Sequence, residues 1–202
     1  MIIGVGGGTW WWASRDPLKL PDSACWSLVD RSDLLPLAGD AGGTFAVRHR
    51  TEGQYDDGSR FTPGVRHQTC VVDGHQRVLL VLDVWGIDED SFHREYELGF
   101  RMPSWAPEQQ LSLGPDLKAW AGVNATRLAF RCDNLVARDK DVAAVEIAVE
   151  GGLRTADVKS ASGQQARLDI ALKVARQTVD RSLLCQNKVA FPDKPVAAAL
   201  PF

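Results

Sequence analysis

No cluster of Lys and Arg, no Cys-x-x-Cys pair, no Gly-x-Ser-x-Gly and no apolar run of membrane-spanning length occurs in these 202 residues. Each absence closes a class of function. Phosphate recognition needs a concentrated basic face, so 23 basic against 26 acidic residues, scattered and summing to a net charge of −3, argue against a nucleic-acid partner. Zinc ligands usually arrive in close pairs, and neither the cysteines nor the histidines have that spacing, so no metal or other cofactor is expected. The serine elbow of a hydrolase is missing, and Ser59, Ser91 and Ser162 sit among polar loop residues. Gly4-x-Gly6 is no dinucleotide fingerprint, because Thr9 stands where the third glycine belongs and no strand precedes it. What is present is an ordinary globular composition, 45% hydrophobic and 24% charged, in a chain long enough for one substantial core or two small ones.

The segment Met1 to Trp12 is apolar, uncharged and Gly-rich, and ends in Trp10-Trp11-Trp12 before the polar Ser14-Arg15-Asp16-Pro17. It is shorter than the roughly 20 residues of a spanning helix and has no basic region ahead of its apolar stretch, as a signal peptide would. Indoles favour the headgroup level, so the three tryptophans match the outer end of a membrane helix. The expectation is a membrane-proximal remnant over residues 1–20, with a tether at or upstream of Met1. A tail folded onto the body is the competing reading.

Four cysteines, Cys25, Cys70, Cys132 and Cys185, are even in number and far apart. Such spacing reads as two disulfides formed in an oxidising compartment, against four buried thiols in a cytosolic protein. Three pairings are possible. Cys25–Cys70 and Cys132–Cys185 are preferred, because the chain divides between them and each bridge then stays within one half. In the chain-entropy account each contributes up to about 4 kcal/mol.

A helix start at Pro21-Asp22-Ser23 is followed by Cys25, Leu28 and Val29 at one-face spacing, then by a second short turn capped at Ser32-Asp33 that carries Leu34 and Leu35. Thr44 to Arg48 alternates as a strand, and Glu52 to Gly64 reads as a loop. Arg66 to Val72 and Arg77 to Trp85 flank Asp73-Gly74, which predicts a hairpin closed by a type I′ turn. Val78 to Leu82, apolar on both faces, predicts a central strand with a helix packed on it. Residues 103–120, rich in Pro and Gly, read as a connection. Beyond it Arg127 to Cys132 and Ala144 to Glu150 alternate as a second hairpin, and Leu168, Leu172, Ala175, Val179 and Leu183 mark an amphipathic helix over Gln164 to Gln186. The fold class expected is α+β, as two pseudo-repeated lobes over 21–102 and 121–191, each a helix on an antiparallel sheet tied by a disulfide, with an extended tail over 192–202. One continuous sheet would use the same parts.

The stretch Pro21 to Val29, then Asp33-Leu34-Leu35, Leu37-Ala38-Gly39 and Thr69-Cys70-Val71, resembles uncharacterised membrane-anchored envelope proteins of high-GC actinobacteria. The last third is similar too, through Cys132, Val145 to Val149 and the Ala-rich run from Ala166 to Cys185. The resemblance implies an extracytoplasmic domain tethered to the cell membrane, and it carries no catalytic residues with it. The lack of a complete membrane helix or a lipobox cysteine at the chain's start is a departure from that pattern.

Two chemistries compete. Trp105 and Trp120, in the Pro-rich connection, are candidate exposed aromatics for an envelope protein or polymer, whereas Trp26 and Trp85 suit a core. Asp88-Glu89-Asp90, directly after the buried strand, could serve a hydrolase as acid and base, and reads more simply as a charged helix start complementing the helix dipole. His67 and Cys70 fall on opposite faces of one strand and form no nucleophile–base pair. The reading reached is an extracytoplasmic envelope domain, binding or structural rather than catalytic.

Overall fold

The computed structural model describes residues 17–52, 54–56, 58, 61, 67–74, 77–94, 108–114, 117–132, 142–152, 160–182, 185 and 187–192. Its frame is a single eight-stranded sheet in the order β6-β5-β7-β8-β12-β11-β10-β9, antiparallel throughout. The strands are β5 (Ala46–Thr51), β6 (Gln54–Asp56), β7 (Gln68–Gly74), β8 (Arg77–Asp88), β9 (Glu108–Ser112), β10 (Leu117–Gly122), β11 (Ala125–Arg131) and β12 (Val142–Gly151). Four short strands precede it and form two separate two-stranded sheets. β1 (Leu18–Lys19) pairs parallel with β4 (Gly43–Thr44), and β2 (Ser23–Ala24) pairs antiparallel with β3 (Val29–Asp30). The helices are α1 (Arg31–Ala38), α2 (Glu89–Phe92) and α3 (Ala161–Ser182).

Strand alternation explains which face α1 and α3 cover. Cys70 and Val72 of β7, Leu80, Leu82 and Val84 of β8, Val145, Ile147 and Val149 of β12, and Leu128 and Phe130 of β11 lie on one face in register. All are buried. The stripe of α3, with Leu168, Ile170, Ala171, Leu172, Val174 and Ala175, packs on them in the same core as Leu34 and Leu37 of α1. Each such Leu or Val contributes about 2 kcal/mol by leaving water. Lys173 of α3 donates to Asp30 Oδ2 (2.7 Å) and Asp33 Oδ2 (2.6 Å), so the two helices are also clasped by charge at their rim.

The α+β class and both preferred disulfides are present. Cys25–Cys70 spans a Cα separation of 5.3 Å and Cys132–Cys185 one of 4.7 Å, within the range a disulfide tolerates. The halves do not stand apart as lobes. β8 and β12 pair from Asp88↔Val142 to Leu80↔Gly151 in the middle of the sheet, and one core runs through both halves. Within the expected connection at 103–120, residues 108–112 form β9 and 117–120 open β10.

Three local expectations are corrected. The segment from Pro21 is no helix: Ala24 and Val29 pair in a two-residue ladder, and Cys25, Trp26 and Ser27 between them have φ of 52°, 58° and 61°. α1 is capped two residues earlier than the Ser32-Asp33 signal suggested, at Asp30, whose N–H donates to Asp33 Oδ2 at 2.8 Å. The hairpin between β7 and β8 closes after Gly74, which pairs with Arg77. Gly74 is there for clearance instead of turn geometry, since a Cβ would sit 2.0 Å from the Thr44 carbonyl oxygen. The doubly apolar run Val78 to Leu82 has its cause in a bulge: Val72 faces Leu80 but Asp73 faces Val78, so Leu79 is an inserted residue that turns into the core while Val78 is left 46% exposed.

Candidate functional site

The second face of the sheet carries the polar and aromatic side chains of the same strands. One row across it reads Thr69, Asp83, Ala148, Arg127, Trp120 and Gln110, each opposite the next. The adjacent row reads Trp85, Glu146, Ala129 and Lys118. Ala129, Glu146 and Ala148 in the middle are buried, and the indoles of Trp85 and Trp120, both half-buried, stand at either side. Three strand spacings of about 4.8 Å separate their strands, roughly 14 Å. α2 closes one end: Phe92 is buried with Ile87, Ala129 and Ala144, and both tryptophans pack against that cluster.

Electrostatics on this face are internally balanced. Glu146 is fully buried, and Nη1 of the half-buried Arg127 lies 3.9 Å from its Oε1. A carboxylate removed from water is costly unless charge or hydrogen bonds compensate it, so this pair is a pronounced feature of an otherwise half-apolar floor. His67 Nε2 lies 3.0 Å from Asp83 Oδ1, the Thr69 hydroxyl donates to the same oxygen at 2.6 Å, and the His67 ring meets Trp85 edge-on at 5.4 Å. Arg131 holds Glu89 through both guanidinium nitrogens (2.7 and 2.9 Å) and lies over the Phe92 ring at 4.8 Å.

Asp88 and Glu89 of the acidic patch are both engaged locally. Asp88 is the N-cap of α2, accepting from the Ser91 N–H at 2.7 Å and from its hydroxyl at 2.8 Å, and these bonds hold its carboxyl below the ordinary value of 3.8. Glu89 is spent on Arg131. The patch is a capped helix start, and the structure brings no second acid to Asp88, Glu89 or Asp90 among the described contacts. No group of three or more metal-ligating side chains occurs among the described residues.

Of the expected binding aromatics, Trp120 is in β10, not in a connecting loop, and Trp105 lies outside the described residues. Trp26 is core, its ring 5.1 Å from His49 and 5.0 Å from Phe61. The pairing of Glu146 with Arg127 and of His67 with Asp83 was hidden in the sequence, because each residue occupies the outward beat of an alternating strand and reads as solvated. Register alone makes them neighbours. Arg167 was equally hidden, one position beside the apolar stripe of α3. It is fully buried and donates to the carbonyls of Gly151 (2.9 Å), Gly122 (3.3 Å) and Val123 (2.7 Å), and burial pulls its pKa down to about 10. That guanidinium ties the β10–β11 turn to the end of β12.

No family model, curated protein or solved structure matches this chain. Among the described residues no helix is long and apolar enough to cross a membrane, which leaves strand-built spanning untouched. The two disulfides point to an oxidising, extracytoplasmic environment.

Proposed function

We propose that the protein is a non-catalytic binding domain of the cell envelope, displayed outside the cytoplasmic membrane, whose second sheet face takes an envelope polymer across Trp85 and Trp120. The observation that carries this reading is the pair of half-buried indoles, Trp85 and Trp120, on one face of the sheet. Flat apolar ring faces with polar groups between them suit sugar rings, which offer C–H faces to stack and hydroxyls to hydrogen-bond. The Arg127 guanidinium beside Glu146 and the hydrogen bond between His67 and Asp83 supply polar groups next to the indoles. Resemblance to actinobacterial envelope proteins and the three tryptophans at Trp10 to Trp12 support a location at a membrane surface. The hydrolase alternative has no such support, because Asp88 caps a helix and Glu89 pairs with Arg131.

Co-sedimentation with purified envelope polymer from the native host tests the reading. Wild-type protein should pellet with the polymer, and Trp120→Ala should weaken that binding about tenfold or more without changing the far-UV circular dichroism spectrum. Equal pelleting of the two proteins, or pelleting of neither, contradicts the assignment.

A further inference from the structure

The turn between β2 and β3 is built the wrong way for its residues. Cys25, Trp26 and Ser27 occupy the left-handed region in succession, with the Leu28 N–H closing the turn on the Cys25 carbonyl at 3.0 Å, and none of them is glycine. Each non-glycine residue held there is disfavoured by about 1–2 kcal/mol, and such residues persist only where their surroundings impose them. The same stretch in the right-handed region has every local advantage. Asp22 or Ser23 offers an N-cap, Cys25, Leu28 and Val29 share one helical face, and no Gly or Pro interrupts the path into α1 at Arg31.

The surroundings that reverse the hand are specific. Cys25 is bonded to Cys70 in β7, the Trp26 ring is held between His49 and Phe61, and Leu28 and Val29 are fully buried. Only the first of these is covalent, and it fixes the first residue of the turn. We infer that residues 22–30 are a two-state segment whose hand is set by oxidation: with both thiols reduced they form a right-handed helix continuous with α1, and closure of Cys25–Cys70 turns residues 25–27 over into the left-handed loop. In that step the two thiols lose two protons and two electrons to a disulfide oxidant, the S–S bond forms, and the oxidant is released as two thiols. The loop and the seating of Trp26 are thereby reached only where an oxidant is present, so the finished fold is confined to the oxidising compartment.

The test compares the full-length oxidised protein with Cys25→Ser/Cys70→Ser by NMR. One-bond Cα–Hα couplings report the sign of φ, and Hα to amide contacts three residues apart report helix. The oxidised protein should show positive φ at residues 25–27, and the variant should show negative φ with helical contacts from Ser23 to Ala38 while the β8–β12 amide signals persist. Positive φ retained in the variant, or loss of all order in residues 22–30, overturns the inference. Should the variant fail to fold, the exchange equilibrium of Cys25–Cys70 in a glutathione buffer decides. Ser27→Gly makes positive φ cheap and should shift that equilibrium about fivefold toward the bond, the equivalent of about 1 kcal/mol, whereas Ser27→Ala should leave it where it is. Equal constants for the two variants refute a hand that is reversed on oxidation.

Discussion

Arg167 concentrates more consequence than any other buried polar residue. Its guanidinium meets three backbone carbonyls that have been removed from water, so shortening it leaves acceptors that must be desolvated without return. Arg167→Met is expected to lower stability by about 3 kcal/mol in urea denaturation, although its apolar volume is nearly conserved. Lys173 acts at the rim instead. Burial alone would lower its pKa, but the hydrogen bonds to Asp30 and Asp33 prevail and raise it above the ordinary 10.5. A raised folded pKa means the clasp is complete below the unfolded value and is lost as pH rises through the folded one. Lys173→Met should therefore cost about 0.5–1 kcal/mol at neutral pH, and the gap between variant and wild-type denaturation midpoints should close as pH climbs beyond 10.5. A gap that stays constant through that range would rule out the charge as its source.

Element by element, periodicity located strands and the long helix but not their connections. Arg127 to Cys132, Ala144 to Glu150 and the α3 stripe were legible because burial on one face imposes a period of two or of about 3.6. The helix expected from Pro21 was misplaced because tertiary constraints, the bond to Cys70 among them, override the local preference for the right-handed region. The Asp73-Gly74 signal was sound chemistry attached to the wrong cause, since the glycine gives room to the Thr44 carbonyl. A second glycine shows the same logic on the other side of β8. Gly151 has φ of 150°, and a Cβ there would lie 2.2 Å from the Leu79 carbonyl oxygen, backbone that cannot swing away. Gly151→Ala should lower stability by about 2–3 kcal/mol with an unchanged denaturant slope. A neutral effect would mean that the β8 bulge at Leu79 gives way easily.

For the molecule as a whole, the central fact is that both halves feed one sheet and one core. The sequence reading divided the chain at 103–120 because Pro and Gly there look like a linker, and no local pattern reveals that β8 will pair with β12 across more than fifty intervening residues. The candidate site was legible only in part for the same reason: Trp120 stood out by composition, while Trp85, Glu146 and Arg127 become a site through register between strands. One core implies one transition. Thermal or urea unfolding followed by tryptophan fluorescence and by circular dichroism should give coincident curves, and Cys132→Ser/Cys185→Ser should lower the single midpoint by the equivalent of about 2–5 kcal/mol instead of splitting it. Non-coincident curves would restore two independent lobes. The compartment claim, on which the proposed function rests, is tested most directly by non-reducing peptide mapping after thiol alkylation of protein taken from the native host. The account predicts that no cysteine alkylates and that the map links Cys25 to Cys70 and Cys132 to Cys185; alkylation of all four without reduction would contradict it.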